Sequence, residues 1–169
     1  MHLGLIGYPL GHSWSQAWFT EKAYREGIHG LVYDLFPMKS IEELPALLKA
    51  HPDLAGLNVT IPHKQSVRPL LDHMDPRAAE IGAVNCILIR DSHTTGFNTD
   101  APAFDNTLPE SVEGPALVLG TGGAARAVTW VLRERGVPFR FVSRNPEPEN
   151  LTYGDLTPEI IRQHMLIIN

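Results

Sequence analysis

Apolar positions along this chain fall in short runs broken by glycine and proline turns, and between those runs they recur at helical spacing. Residues 3–6 are an apolar run closed by Gly7, which predicts a buried first strand. A turn cluster at 7–11 leads into a helix from about 12 to 26, with Ser13 as its N-cap and Trp14 and Trp18 assigned to the core. Residues 31–36 predict a second strand. Residues 40–50 predict a helix opened by Ser40, with Glu42 and Glu43 in its first turn. Strict alternation follows: Leu57, Val59 and Ile61 against Asn58, Thr60 and Pro62. This predicts a third strand with one apolar and one polar face, stopped by the proline. Helices are expected at 64–72 and 76–81, and strands at 83–90 and 94–98 around a turn at Asp91, Ser92 and His93. This βαβαβ order implies a mainly parallel sheet covered by helices. Residues 98–102 read as a helix start capped by Thr99 or Asp100.

The pattern then changes. Residues 108–115 read as a linker or surface connection. A strand at 116–119 runs straight into Gly120, Thr121, Gly122, Gly123, Ala124 and Ala125, followed by an amphipathic helix at 124–135. G-x-G-x-x-A between a strand and a helix allows a tight turn and brings backbone N–H groups close to a pyrophosphate. The next strand, 139–142, ends in Ser143, Arg144 and Asn145, where a site for NAD would carry an acid for the ribose hydroxyls. A guanidinium there suits a 2′-phosphate, which favours NADP; a solvated strand-end arginine is the alternative. A helix at 157–163 with Thr157 as cap and a third strand at 165–168 complete one βαβαβ half.

Candidate chemistry gathers at strand and helix ends. Asn58, Thr60 and Lys64 place an amide, a hydroxyl and an ammonium near the end of the alternating strand. Such groups suit a polyhydroxylated small molecule, and Lys64 can carry a proton; a solvated lysine after an edge strand is the competing reading. Ser13 and Ser15 straddle a helix start, where outward-pointing N–H groups favour a carboxylate. Bulk properties remove some classes. The 169 residues are 43% hydrophobic and 20% charged, with a net charge of −5, so nothing favours nucleic acid or an anionic membrane surface. No apolar run approaches the roughly 18 residues of a spanning helix, and the start lacks a signal-peptide pattern. The single cysteine, Cys86, is expected in the core and fits a reducing, cytoplasmic compartment. No metal site is expected.

Taken together, these residues resemble the shikimate dehydrogenase family. The resemblance rests on Gly7-Tyr8-Pro9 with His12-Ser13-Trp14-Ser15, on Asn58 to Lys64, on Gly82-Ala83-Val84-Asn85, on Gly96-Phe97-Asn98-Thr99-Asp100, and on Gly120 to Arg126. It implies an α/β protein. An N-terminal, mainly parallel βαβ substrate domain would span 1–100, and the first half of a Rossmann-type NADP-binding domain 101–169. By the same resemblance Ser13 and Ser15 hold the substrate carboxylate, Asn58, Thr60, Asn85 and Asp100 hold ring hydroxyls, and Lys64 with Asp100 is the catalytic pair. Gly120, Thr121, Gly122, Gly123, Ala124, Ser143, Arg144 and Asn145 would bind NADP. The implied reaction is reversible reduction of 3-dehydroshikimate to shikimate. A quinate/shikimate dehydrogenase and a non-catalytic binding relative are the alternatives.

The sequence departs from the family pattern in three places. Gln16 stands where the family usually has proline after the second serine. Ser143-Arg144-Asn145 stands where it often reads Asn-Arg-Thr. The chain also stops at Asn169, where the family continues. On that reading the 169 residues would be weakly active alone, and the strand at 165–168 would be a sheet edge open to self-association.

Overall fold

Leu5, Ile6, Leu57 and Val59 are almost wholly buried, and they mark the two strands around which the first half of the chain is built. The computed structural model describes residues 1–145 and 147–169. These fall into two units, Met1–Asn98 and Thr99–Asn169.

The first unit runs β1 (His2–Gly7), α1 (Ser15–Arg25), β2 (Val32–Pro37), α2 (Leu44–Ala50), β3 (Leu54–Val59), β4 (His73–Met74), α3 (Pro76–Ile81), β5 (Cys86–Arg90) and β6 (His93–Phe97). Its sheet has the order β2-β1-β3-β5-β6-β4. β1 is parallel to β2 and β3, and β4 is parallel to β6, whereas β5 runs antiparallel to β3 and β6. The β5–β6 hairpin turns at Asp91 and Ser92, both at positive φ (51° and 62°), the conformation that matches the twist of the paired strands. One face of the sheet buries Ile6, Leu57, Val59, Val84 and Ile87 against Leu44 of α2 and Ala78 of α3.

Four expectations fail here. The alternating strand ends at Val59, where the ladder stops ahead of Pro62, and Ile61 lies beyond it, 73% exposed. No α-helix forms over 64–72. The Lys64 carbonyl accepts from Val84 N–H at 2.7 Å instead of from a helical neighbour, and Pro69 has no N–H to give, so only a 3-10 turn at Arg68–Leu70 forms. Trp14 and Trp18 are not core residues. They are 85% and 52% exposed, and α1 docks through Ala23 and through Phe19, which stacks on Tyr33 at 4.5 Å. Ser13 does not cap that helix: Trp14 holds the cap position with no side-chain bond, and the Ser13 hydroxyl accepts the Ser15 N–H at 3.3 Å. Ser40 does open its segment as expected, through reciprocal bonds with Glu42 N–H and the Glu43 carboxylate, although the first turn is 3-10.

The second unit runs α4 (Asp100–Asp105), β7 (Ala116–Leu119), α5 (Gly123–Glu134), β8 (Phe139–Ser143), β9 (Leu151–Thr152), α6 (Pro158–Arg162) and β10 (Leu166–Ile168). Its sheet is fully parallel, in the order β10-β7-β8-β9. The last strand is therefore the fourth of this sheet and not the third, because Leu151–Thr152 pairs with β8. The strand order reverses beside β7, which is where ligands bind in open parallel sheets. The segment after α4 is fastened down. Arg135 donates to the Asp105 carboxylate and carbonyl and to the Pro109 carbonyl, and Leu108 and Val112 pack against the core of Ala116, Val118 and Leu132. Among the described residues no helix is long and apolar enough to cross a membrane.

The closest backbone approach near the polar strand ends is at Gly7. A Cβ there would collide with Thr60 Cγ2 and meet the Ile61 carbonyl at 2.8 Å, whereas a Cβ at Gly11 meets nothing within 4 Å. Gly7→Ala is expected to cost about 1–3 kcal/mol by overpacking, and Gly11→Ala well under that, as measured by urea denaturation; equal effects would contradict the packing described.

Candidate functional site

In the first unit the polar residues singled out in the sequence sit on backbone that is bonded at several points. Asn58 lies on β3 between Leu5 of β1 and Cys86 of β5. Beyond the end of β3, Thr60 N–H donates to the Ile6 carbonyl, and Val59 N–H donates to the Asn85 carbonyl, both at 2.9 Å. Asn85 N–H donates to Phe97, and the Lys64 carbonyl receives Val84 N–H. Asn58, Thr60, Lys64 and Asn85 are thus carried by one network of main-chain bonds around the end of β3. All four are half-buried, polar side chains held at the rim of an apolar core.

Two further residues hold this rim, and sequence reasoning passed over both. Tyr33 of β2 is buried, and its hydroxyl donates to Asn58 Oδ1 at 2.8 Å. Ser15 also hydrogen-bonds the Tyr33 hydroxyl, so a chain of contacts runs from the start of α1 through Tyr33 to β3. Burial pushes the Tyr33 phenol up to about 12, with the Ser15 bond acting in the opposite direction. Gln16, a departure from the family pattern, donates from Nε2 to the Tyr33 carbonyl at 2.9 Å and fixes the same residue from its backbone side. The second omission is His63, buried beneath the loop that carries Thr60 and Lys64; its Nε2 donates to the Met38 carbonyl at 2.7 Å. Both residues could have been noticed as polar groups in otherwise apolar or motif surroundings, because buried polar groups need partners. Asn98 is buried too, and its Nδ2 donates to the Ala83 carbonyl, bracing the segment that leads to Asn85. Cys86 is half-buried, and desolvation raises its thiol, which leaves it a poor nucleophile.

The second unit has its own cleft, of about 590 Å³. It is lined by Leu119, Gly120, Thr121 and Gly122 on one side and Ser143, Arg144, Asn145 and Tyr153 on the other. Gly120 has φ 102°, which side chains rarely adopt, and Gly122 is extended at the cap position of α5. Neither would bring a Cβ within 4 Å of another atom, so the space beside them is open to a ligand. Gly123 opens α5 and Ala124 follows it, so their N–H groups belong to its unsatisfied first turn. Ser143 is buried, and its hydroxyl accepts the Asn145 N–H at 3.2 Å, which shapes the loop bearing the exposed Arg144. Tyr153 was not anticipated; it follows the two-residue strand β9, which is too short to show periodicity. Asp100, the remaining candidate, belongs to this unit and is the first residue of α4, after Thr99.

Known proteins are similar to this chain in sequence and in fold. The family model described as the shikimate dehydrogenase substrate binding domain matches residues 5–87. The NADP(+)-dependent shikimate dehydrogenase of Paramagnetospirillum magneticum is 40% identical over 163 residues, which cover 90% of this chain and 58% of that relative. The structure of Thermus thermophilus shikimate 5-dehydrogenase in complex with NADP(H) and shikimate is 37% identical, with a TM-score of 0.76, over 86% of this chain and 57% of that one. The quinate dehydrogenase of Corynebacterium glutamicum in complex with NAD is 33% identical, with a TM-score of 0.74, over 86% of this chain and 55% of that one. The chain therefore spans somewhat more than half the length of these relatives. Residues 5–87 thus match the shikimate dehydrogenase substrate-binding domain, the second unit carries the glycine turn, and the chain is similar to shikimate dehydrogenases along most of its own length.

Proposed function

We propose that the first unit binds shikimate or 3-dehydroshikimate, that the second binds the phosphate end of NADP, and that the protein interconverts the two acids. The observation that carries this is the polar rim at the end of β3: Asn58, Thr60, Lys64 and Asn85 on one bonded backbone network, joined to Ser15 through Tyr33. Ser13 and Ser15 are the carboxylate holders, and Asn58, Thr60 and Asn85 are the partners of the ring hydroxyls. With Oδ1 occupied by Tyr33, Asn58 has its amide N–H groups to donate to a ring oxygen.

The cleft of the second unit fits a dinucleotide. Its glycines offer backbone without side-chain obstruction, and Arg144 offers a planar cation for a 2′-phosphate. When bound, NADPH supplies the hydride. The ketone oxygen then gathers negative charge, and Lys64 Nζ is assigned to stabilise that charge and give up the proton. Asp100 is assigned as the carboxylate that orients the substrate and the ammonium. Quinate and NAD remain the second reading, favoured by the likeness to the Corynebacterium enzyme.

Three measurements test this reading. Lys64→Ala in the gene product should lower kcat for NADP-linked shikimate oxidation by roughly 10²–10⁴-fold while KM changes only several-fold; Asp100→Asn should lower kcat in the same direction, and full turnover by either variant would overturn the assignment. Arg144→Ala should weaken NADP binding by roughly 10–100-fold, the loss of one or two charge-assisted bonds, with NAD binding unchanged; an equal effect on both nucleotides would remove the 2′-phosphate role.

Tyr33→Phe should weaken shikimate binding by about tenfold, or ~1.4 kcal/mol, by leaving Asn58 unfixed. It should also change the alkaline limb of stability. The folded phenol is raised to about 12 from 10.0, so its contribution is complete below pH 10 and is lost as pH climbs from there towards 12. Urea denaturation between those values should show the loss in the parent and not in Tyr33→Phe, and parallel curves would contradict the buried, bonded hydroxyl.

A further inference from the structure

At the other ends of the same strands lies a second polar cluster. His2 opens β1, Asp34 sits opposite Gly4 on β2, His51 follows the end of α2, and Asp53 directly precedes β3. His2 is largely buried, and each of its ring nitrogens faces a carboxylate: Nδ1 lies 2.9 Å from Asp53 Oδ2, and Nε2 lies 3.0 Å from Asp34 Oδ2. A neutral imidazole has one N–H, so it satisfies only one of those two oxygens. The other contact sets a nitrogen lone pair against a carboxylate oxygen and needs a positive charge between or upon them. His51 closes the group, its ring edge-on to His2 at 5.8 Å and tilted against Phe36 at 5.1 Å. One ligating atom from each of His2, His51 and Asp53 lies within 4.8 Å of the others.

We propose that His2, His51 and Asp53 form a binding site for a divalent transition-metal ion of the zinc class. Two imidazoles and a carboxylate are the borderline nitrogen and oxygen donors that zinc, cobalt and nickel prefer, whereas calcium and magnesium take oxygen sets. Metal bonds of about 2.0–2.2 Å put tetrahedral ligand atoms on the order of 3.3 Å apart, so the group needs only small rotations to close. Asp34 completes the arrangement from outside. By accepting the Nε2 proton it fixes the His2 tautomer and directs the Nδ1 lone pair toward the ion, the role carboxylates take behind metal-bound histidines. Asp34 is therefore a positioning residue. His51 and Asp53 also line a cleft of about 580 Å³ with Asp91 and Ser92, which gives the ion an entry path and leaves room for a water as fourth ligand. The ion would tie the start of β1 to the loop between α2 and β3, well separated along these strands from Asn58 and Thr60, so the site does not depend on the proposed reaction.

The test uses the 169-residue chain, freed of metal, titrated with Co²⁺ followed by its visible absorption and with Zn²⁺ followed by calorimetry. One equivalent should bind, with the intense bands of a tetrahedral cobalt centre, and Zn²⁺ should raise the thermal midpoint. His51→Ala and the isosteric Asp53→Asn should each weaken binding at least about tenfold and abolish the thermal shift. Asp34→Asn should weaken it by roughly 10–100-fold and shift the cobalt bands while keeping one equivalent. Failure of Zn²⁺ or Co²⁺ to bind at millimolar concentration would overturn the proposal. Binding that survives in both His51→Ala and Asp53→Asn, for instance at the neighbouring rings of His73 and His93, would overturn it equally.

Discussion

The candidate substrate site depends on one constraint, the buried Tyr33 hydroxyl placed between Ser15 and Asn58. A phenol at that depth needs hydrogen-bond partners, and here they lie on separate elements, the first turn of α1 and the middle strand of the sheet. Satisfying Tyr33 therefore sets the distance between the serine that is proposed to hold a carboxylate and the asparagine that is proposed to hold a ring hydroxyl. Phe19 stacks on the same ring, and Gln16 holds its carbonyl, so α1 is docked by the residue that also orients the site. The packing of α1 and the proposed recognition depend on the same residue.

The main chain adds a second level of rigidity. A loop with two prolines in or near it, from Thr60 to Leu70, would be poorly determined by local propensity. Instead it is fixed from three directions: Ile6 receives Thr60 N–H, Lys64 receives Val84 N–H, and Met38 receives the His63 imidazole. Gly7 lets β1 approach close enough for the first of these bonds. The lysine proposed to move the proton is thus borne on backbone held by three other segments, the kind of support that a positioned acid requires.

Much of this was legible in the sequence, for identifiable reasons. The strand containing Leu57 and Val59, the parallel order, the glycine turn before α5 and the caps at Ser40 and Thr157 all have local signatures, and each formed. What was missed depended on partners distant in sequence. Periodicity placed Ile61 and the two tryptophans in the core, but the turn at Pro62 and the docking of α1 through Phe19 and Ala23 left them outside. The helix expected at 64–72 was lost to a main-chain bond with Val84, twenty residues on. Tyr33 and the cluster of His2, His51 and Asp53 were not visible because their significance appears only once the strands are side by side. Similarity to known dehydrogenases supports the proposed chemistry, while the contacts of Tyr33 and His63 explain how this chain holds the residues concerned.

The most direct measurement is a titration of the isotopically labelled chain with shikimate, followed by amide chemical shifts. The account predicts saturable shifts confined to residues around Ser13 and Ser15, Asn58 to Lys64, Tyr33, Asn85 and Asp100. Absence of any shift at saturating ligand, or shifts gathered at the His2 and His51 end of the strands, would contradict it.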